Sequence, residues 1–287
     1  MRVYRAIAAL FMCVMLACVL LLPAAPAMAQ DGVSALFINV GKADATLCFL
    51  GDQRFLIDTG TKKSYDELER ALKLYHVTKL DGVLITHTHK DHAGGLSKLL
   101  KSDIEVEMVY AGKLHIETSD EEHPAFKATQ KNGVPLRWLS AGDEVALDGG
   151  YTFRVLGPLS KDAENDNNNS LVVELQTPQG NMLFTGDMEF AEEEALLSAG
   201  LIPQAAVLKV PHHGEDDASG KNLILKIAPQ WAVISTSTEE EPDTPDAKVL
   251  ANLWLVKAGV SVTQDAQIGI MVTLEQGKAS AQSINLQ

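Results

Sequence analysis

His87, His89, Asp91 and His92 gather four groups able to bind a metal ion into six residues. The spacing His-x-His-x-Asp-His lets His87 and His89 face one cation while Asp91 and His92, displaced by the next bend, face a second. Two further pieces stand downstream: Asp187, and the pair His212-His213. Together they supply what two cations bridged by a carboxylate require, with a later histidine joining Asp91 and His92 and with Asp187 between the ions. One of His212 and His213 is expected to bind metal and the other to contact substrate; His212 is assigned to the metal and His213 to the substrate. The chemistry of such a site is hydrolysis. Two cations lower the pKa of a shared water, aim the resulting hydroxide and stabilise charge on the non-bridging oxygens, while Asp91 or Asp187 takes the proton.

Each piece follows an apolar run. Gly82-Val-Leu-Ile-Thr86 precedes the first motif, Met182-Leu-Phe-Thr-Gly186 precedes Asp187, and Ala206-Val-Leu-Lys-Val-Pro211 precedes the histidine pair, so all three are expected on loops at strand ends. Other strands are expected at Ser34 to Val40, Ala45 to Leu50, Arg54 to Ile57, Val106 to Tyr110, Glu144 to Leu147, Tyr151 to Leu156, Ser170 to Gln176, Trp231 to Ser235 and Ile268 to Leu274. Helices are expected from Ser64, with Glu67 completing a capping box, over Leu96 to Leu100, Glu192 to Ala199 and Asn222 to Ile227, and after Thr244 with Pro245 at the first position. Strands and helices alternate in each half, the pattern of two packed sheets with helices outside.

The amino terminus carries Arg2 and Arg5, an apolar stretch from Ala6 to Leu22 and an Ala27-Met-Ala29 site, which reads as a secretory signal peptide over 1–29. An uncleaved anchor is the alternative, since that stretch is at the lower limit for a spanning helix; Leu16-Ala17-Cys18 resembles an acylation site only weakly. The remainder, 30–287, carries no repeat or long linker and is read as one hydrolase domain exported to the cell envelope or beyond. With Cys13 and Cys18 in the leader, Cys48 alone remains, a small apolar residue in a strand. The full chain has a net charge of −14, and the leader holds two basic residues and no acidic one. Such a surface disfavours extended nucleic acid and leaves room for a small or modest anionic substrate, because bound cations reverse the local sign. Nothing in these residues fixes an oligomeric state, and no stable membrane insertion is expected once the leader is cut.

From about Ala35 to about Leu274 the chain resembles a metallo-β-lactamase-fold hydrolase, and within that group the C-terminal hydrolase domain of the competence protein ComEC and its free-standing relatives. The resemblance rests on Phe37-Ile-Asn-Val-Gly-Lys-Ala-Asp-Ala45, Leu56-Ile-Asp-Thr-Gly60, Thr86-His-Thr-His-Lys-Asp-His-Ala-Gly-Gly95, Asn167-Asn-Asn-Ser-Leu-Val-Val173, Phe184-Thr-Gly-Asp187 and Leu208-Lys-Val-Pro-His-His-Gly214. It implies an α/β fold, an αββα sandwich of two mixed β-sheets flanked by helices. It also implies a nuclease or phosphodiesterase activity with two divalent ions, Zn or Mn. Asp58, and similarly Asp44, would support a metal-binding histidine by hydrogen bonding.

The sequence departs from the family in several places. Many members carry a histidine before the bridging aspartate, where this chain has Asn167, Asn168 and Asn169. An amide oxygen of Asn167 or Asn169, or a water it holds, would bind a cation weakly and suit Mn²⁺; alternatively the asparagines only shape a turn. Asn39 replaces a usual Asp, Lys42-Ala43 a usual Gln-Gly, and Thr244-Pro245 a usual His-Pro. His76 is expected to be structural, and His115 and His123 to lie at the surface. Two other readings stay open: hydrolysis of a lactone or β-lactam, and a non-catalytic binding protein with a decayed site.

Overall fold

A computed structural model describes residues 32–286; the leader assigned to 1–29 lies outside them. In chain order the first strands are β1 (Val33–Ile38), β2 (Thr46–Leu50), β3 (Gln53–Ile57), β4 (Lys79–Leu80), β5 (Gly82–Ile85), β6 (Glu105–Val106), β7 (Val109–Gly112) and β8 (Leu136–Leu139). There follow β9 (Glu144–Ala146), β10 (Thr152–Gly157), β11 (Val172–Thr177), β12 (Gly180–Phe184), β13 (Val207–Lys209), β14 (Trp231–Ile234), β15 (Gly259–Val262), β16 (Gly269–Glu275) and β17 (Lys278–Ile284). Eight form one sheet in the order β17-β16-β1-β2-β3-β5-β7-β8, and seven form a second in the order β15-β14-β13-β12-β11-β10-β9. Both are mixed: β3, β5, β7 and β8 run parallel, as do β12 to β15, and the remaining pairs of the two sheets are antiparallel.

Alternation along the strands explains the layering. In β1, Val33, Ala35 and Phe37 face the other sheet, where Phe37 stacks on Phe184 at 6.1 Å, while Leu36 and Ile38 face the helices. The inter-sheet core is completed by Phe55, Phe153, Val173, Val207 and Val272. Helix Tyr65–Leu74 covers the outside of the larger sheet through Leu68, Ala71 and Leu72; helices Phe190–Ser198, Lys221–Ile227 and Ala247–Leu255 cover the smaller one through Leu196, Leu223, Ile224 and Leu253. Each fully buried Phe or Leu contributes roughly 1.5–3 kcal/mol, so this four-layer arrangement is held by three apolar interfaces. Because central strands are covered on both faces, they read as continuous apolar runs. Among the described residues, no helix is long and apolar enough to cross a membrane.

Several local expectations are corrected. Ser64 precedes its helix but makes no cap; its Oγ accepts from Thr61 N at 3.0 Å and pairs with Thr61 Oγ1 at 2.9 Å. The last helix starts at Ala247, capped by Asp246, whose carboxylate accepts from Lys248 N at 2.7 Å; Thr244 instead bonds Thr236. The run Val106 to Tyr110 is divided between β6 and β7. Strands β8, β15 and β17 were not anticipated; all three lie at sheet edges and are half-exposed, which weakens the apolar pattern.

Candidate metal centre

The pieces meet at one edge of the sandwich, beyond the carboxyl ends of β3, β5, β12 and β13. Parallel pairing of β12 with β13, with Leu183 opposite Leu208, sends the Asp187 loop and the His212-His213 turn out side by side. Leu171 N donates to Thr86 O at 2.9 Å and so ties the approach to β11 to the end of β5, across the two sheets. Close packing needs glycine here. A Cβ on Gly94 or Gly95 would overlap the carbonyl of Lys90 or Thr59, and one on left-handed Gly186 would meet Ser170 at 2.9 Å.

Two sets of ligand-type atoms converge. His87, His89 and Asp187 form one, and Asp91, His92, Asp187 and His213 the other, each set lying within 4.8 Å. Asp187 is common to both. Its Oδ2 is 2.9 Å from His92 Nε2, 3.4 Å from His213 Nε2 and 3.8 Å from His87 Nε2. His213 Nε2 also lies 3.5 Å from Asp91 Oδ2.

The neighbours fix how the rings point. Asp58 accepts from Thr86 N and Thr86 Oγ1 at 2.8 Å and from His92 Nδ1 at 2.8 Å, which leaves His92 Nε2 facing Asp187. His213 Nδ1 donates to Ser235 O at 2.8 Å, which turns Nε2 inward. Ser170 Oγ sits 3.2 Å from His87 Nδ1 and accepts from Asp187 N at 3.0 Å. Buried Lys209 reaches Asp44 at 2.8 Å, and Asp44 lies 3.9 Å and 3.8 Å from the Nδ1 atoms of His92 and His213.

The sequence expectation assigned His212 to the metal and His213 to substrate; the side chain that stands with Asp91, His92 and Asp187 is that of His213, and His212 lies outside that set. His212, His213 and Gly214 are all left-handed, at φ +42°, +53° and +79°. That turn sends His213 into the cluster and His212 outward to Asp217, 2.8 Å from its Nδ1. Periodicity could not foresee it, because two successive non-glycine residues in this conformation are uncommon.

Of the three asparagines, Asn168 and Asn169 bond Asp162, and Asn169 also bonds Asp166. Asn167 donates through Nδ2 to Glu189 Oε1 at 2.7 Å and contacts His212 Nε2 at 3.2 Å. Sequence reasoning missed Asp166, which accepts from Thr88 N at 3.0 Å and Thr88 Oγ1 at 2.5 Å and so anchors the His87-Thr88-His89 loop. Its only signal was an acidic residue opening an Asn-rich turn. His115 and His123, expected at the surface, are buried against Trp138 at 5.8 Å and 5.0 Å.

Electrostatics match a cation site. Burial disfavours charge on His213, but Asp187 and Asp91 override it and push the ring up to about 9. His92, also buried, is raised well above its usual range by Asp187 and Asp58. Asp187 is held far below the carboxylate range: burial opposes ionisation, and the His213 and His92 charges outweigh it. His87, by contrast, is driven well down, first by burial and then by His92. His87 Nε2, His213 Nε2 and Asp187 Oδ1 are buried without a hydrogen-bond partner. Orphaned imidazole nitrogens, one in each set, beside a shared carboxylate are the donors divalent ions need, so the residues fit the group.

An αββα sandwich with such a cluster at its strand ends is the scaffold of metal-dependent hydrolases. Residues 38–237 match the Metallo-beta-lactamase superfamily, and the chain belongs to it. It is 28% identical to ComE operon protein 3 of Bacillus subtilis over 243 residues, covering 78% of this chain and 31% of the relative. It is 25% identical to Recombination protein 2 of Haemophilus influenzae over 230 residues, covering 79% and 27%. These are ComEC-related competence proteins, and the chain spans about a third of their length or less. The metallo-beta-lactamase fold protein YhfI of Bacillus subtilis superposes with a TM-score of 0.55 at 14% identity, covering 85% of this chain and all of that one, a likeness of fold.

Proposed function

We propose that the chain is an exported hydrolase that holds two divalent ions, Zn or Mn, and cleaves a phosphodiester or related ester of small or modest size. The observation that carries this reading is that two sets of ligand-type atoms share Asp187, with His87 Nε2 in one and His213 Nε2 in the other both buried and unpartnered. His87 and His89 would hold one ion, Asp91, His92 and His213 the other, with Asp187 common to both. When bound, the ions supply a water of lowered pKa and positive charge for the phosphoryl oxygens.

The chain's own groups do the rest. Asp58 keeps the proton on His92 Nδ1 and Ser235 O keeps it on His213 Nδ1, so both Nε2 lone pairs face inward. Asp91, about a third exposed where Asp187 is buried, is the carboxylate placed to take a proton from water and pass it to solvent. The net charge of −14 supports a compact substrate over a long polyanion, and the apolar leader over 1–29 supports export.

The test strips the purified protein of metal, reloads it with Zn²⁺ or Mn²⁺, and assays bis(p-nitrophenyl) phosphate, a lactone and a β-lactam. Phosphodiester turnover with near two ions per chain is expected; turnover of the β-lactam alone overturns the reading. N-terminal sequencing of the exported protein should start at Gln30.

A further inference from the structure

Helix Ala247–Leu255 is apolar on the side turned away from the sheet as well as on the side that packs against it. Val249 and Leu253 are buried beneath it, while Ala247, Leu250, Ala251, Trp254 and Leu255, spaced three and four apart, are exposed on its outer face. Lys248 is the one charged residue among those exposed on the helix, and it stands at the edge of that face, paired with Asp216 at 2.9 Å. Trp254 is 77% exposed, the highest value among the large apolar side chains of the described residues, with Leu250 at 38% and Leu255 at 46%. A helix that is apolar all round is ordinarily covered on both sides.

This face carries both halves of its own complement. When a second copy of the helix lies antiparallel across it, related by a two-fold axis between Ala251 and Asn252, Trp254 of each copy falls level with the gap between Ala247 and Ala251 of the other. A large ring then meets two small residues, as a knob meets a hole. In the same register Lys257, exposed just past the helix end, comes level with Asp246 of the second copy. Asp246 borders a cavity of about 560 Å³ that Glu215, Asp216, Glu241 and Asp243 also line, so the lysine arrives at an acidic wall. One register thus matches both the ring and the charge, and the two-fold repeats each match. The same acids set the face against an anionic lipid surface.

We propose that this face joins two copies of the chain in a two-fold dimer. Trp254 of each copy is seated between Ala247 and Ala251 of the other, and Lys257 of each lies beside the acids at the amino end of the opposing helix. An aromatic anchor at the centre with charged groups at the rim is how binding energy is usually distributed over an interface. One helix from each copy makes a contact at the small end of the specific range, so the dimer dissociates with a constant on the order of 10 μM. The contact needs neither metal nor substrate, and it stands or falls separately from the hydrolase reading.

Sedimentation velocity of the purified protein from about 1 to about 200 μM tests it. The wild type is expected to pass from monomer to dimer over that range, Trp254→Ser to stay monomeric, and Lys257→Glu to raise the dissociation constant roughly tenfold. Ala251→Trp is expected to abolish the dimer although it enlarges the apolar surface, because it fills the seat of Trp254; that separates a shaped contact from general stickiness. Trp254 and Ala251 are both exposed, so these variants keep the fold, which circular dichroism confirms. A wild type that is monomeric throughout overturns the dimer, as does one whose association survives Trp254→Ser, is unmoved by Lys257→Glu or is strengthened by Ala251→Trp. Co-sedimentation of a monomeric wild type with phosphatidylglycerol vesicles, lost in Trp254→Ser, would overturn it in favour of a membrane.

Discussion

Histidines are buried in two places with opposite surroundings. At the sandwich edge His87, His92 and His213 lie among Asp58, Asp91 and Asp187; near β8, His115 and His123 lie against Trp138, with Asp120 3.3 Å from His115. In the second place His123 is driven down to about 4, chiefly by burial and then by His115, and its Nδ1 accepts from Ala125 N at 3.0 Å to cap helix Pro124–Asn132. In the first, carboxylates reverse the effect of burial and push His213 up to about 9. Burial alone discharges an imidazole. Several carboxylates around it hold a proton there or, in its place, a metal ion. A histidine cluster therefore reads as a metal site through its acids.

The strongest way to break this contrast is Asp187→Asn, which removes the anion shared by both sets of ligands. Phosphodiester turnover is expected to fall by about three orders of magnitude, the scale of losing a central electrostatic contact; turnover near wild type would refute the shared role. Asp58→Asn is expected to loosen metal binding by about 10–100-fold, since it frees His92 without removing a ligand, and competition with a fluorescent chelator measures it.

The His123 region yields the opposite kind of effect. Its ring is held neutral in the folded state with a pKa lowered from 6.5 to about 4. The unfolded chain therefore takes up a proton first, so the stability is present above pH 6.5 and is lost as pH falls toward 4. The loss amounts to about 3 kcal/mol. Urea unfolding across that window should show a flatter acid limb in His123→Asn, which keeps the helix cap, with metal content unchanged. A metal deficit in that variant would erase the distinction between the two regions.

The smallest effect is expected at Glu192, a buried carboxyl raised from 4.5 to about 7 by burial, against which its bond from Leu159 N works only partly. Its folded pKa lies above the unfolded one, so stability declines as pH rises from 4.5 through 7. Glu192→Gln keeps the acceptor and should gain about 1 kcal/mol at pH 8, after allowance for solvent screening. A lower melting temperature at pH 8 would contradict it.

The apolar runs before His87, Asp187 and His212 were legible because strands covered on both faces must be apolar throughout, and that placed the motifs at strand ends. The edge strands β8, β15 and β17 were not, since half-exposed edges accept Arg137, Ser261 or Gln282 at little cost. Side-chain chemistry and spacing thus determined the fold class and nearly the whole set of converging residues. Only the folded chain decided which of His212 and His213 turns inward, that Asn167 faces Glu189, and that Asp166 holds the histidine loop. Those choices depend on left-handed backbone angles and on partners scores of residues away, whose energies arise once the two sheets pack and bring β5 against the approach to β11.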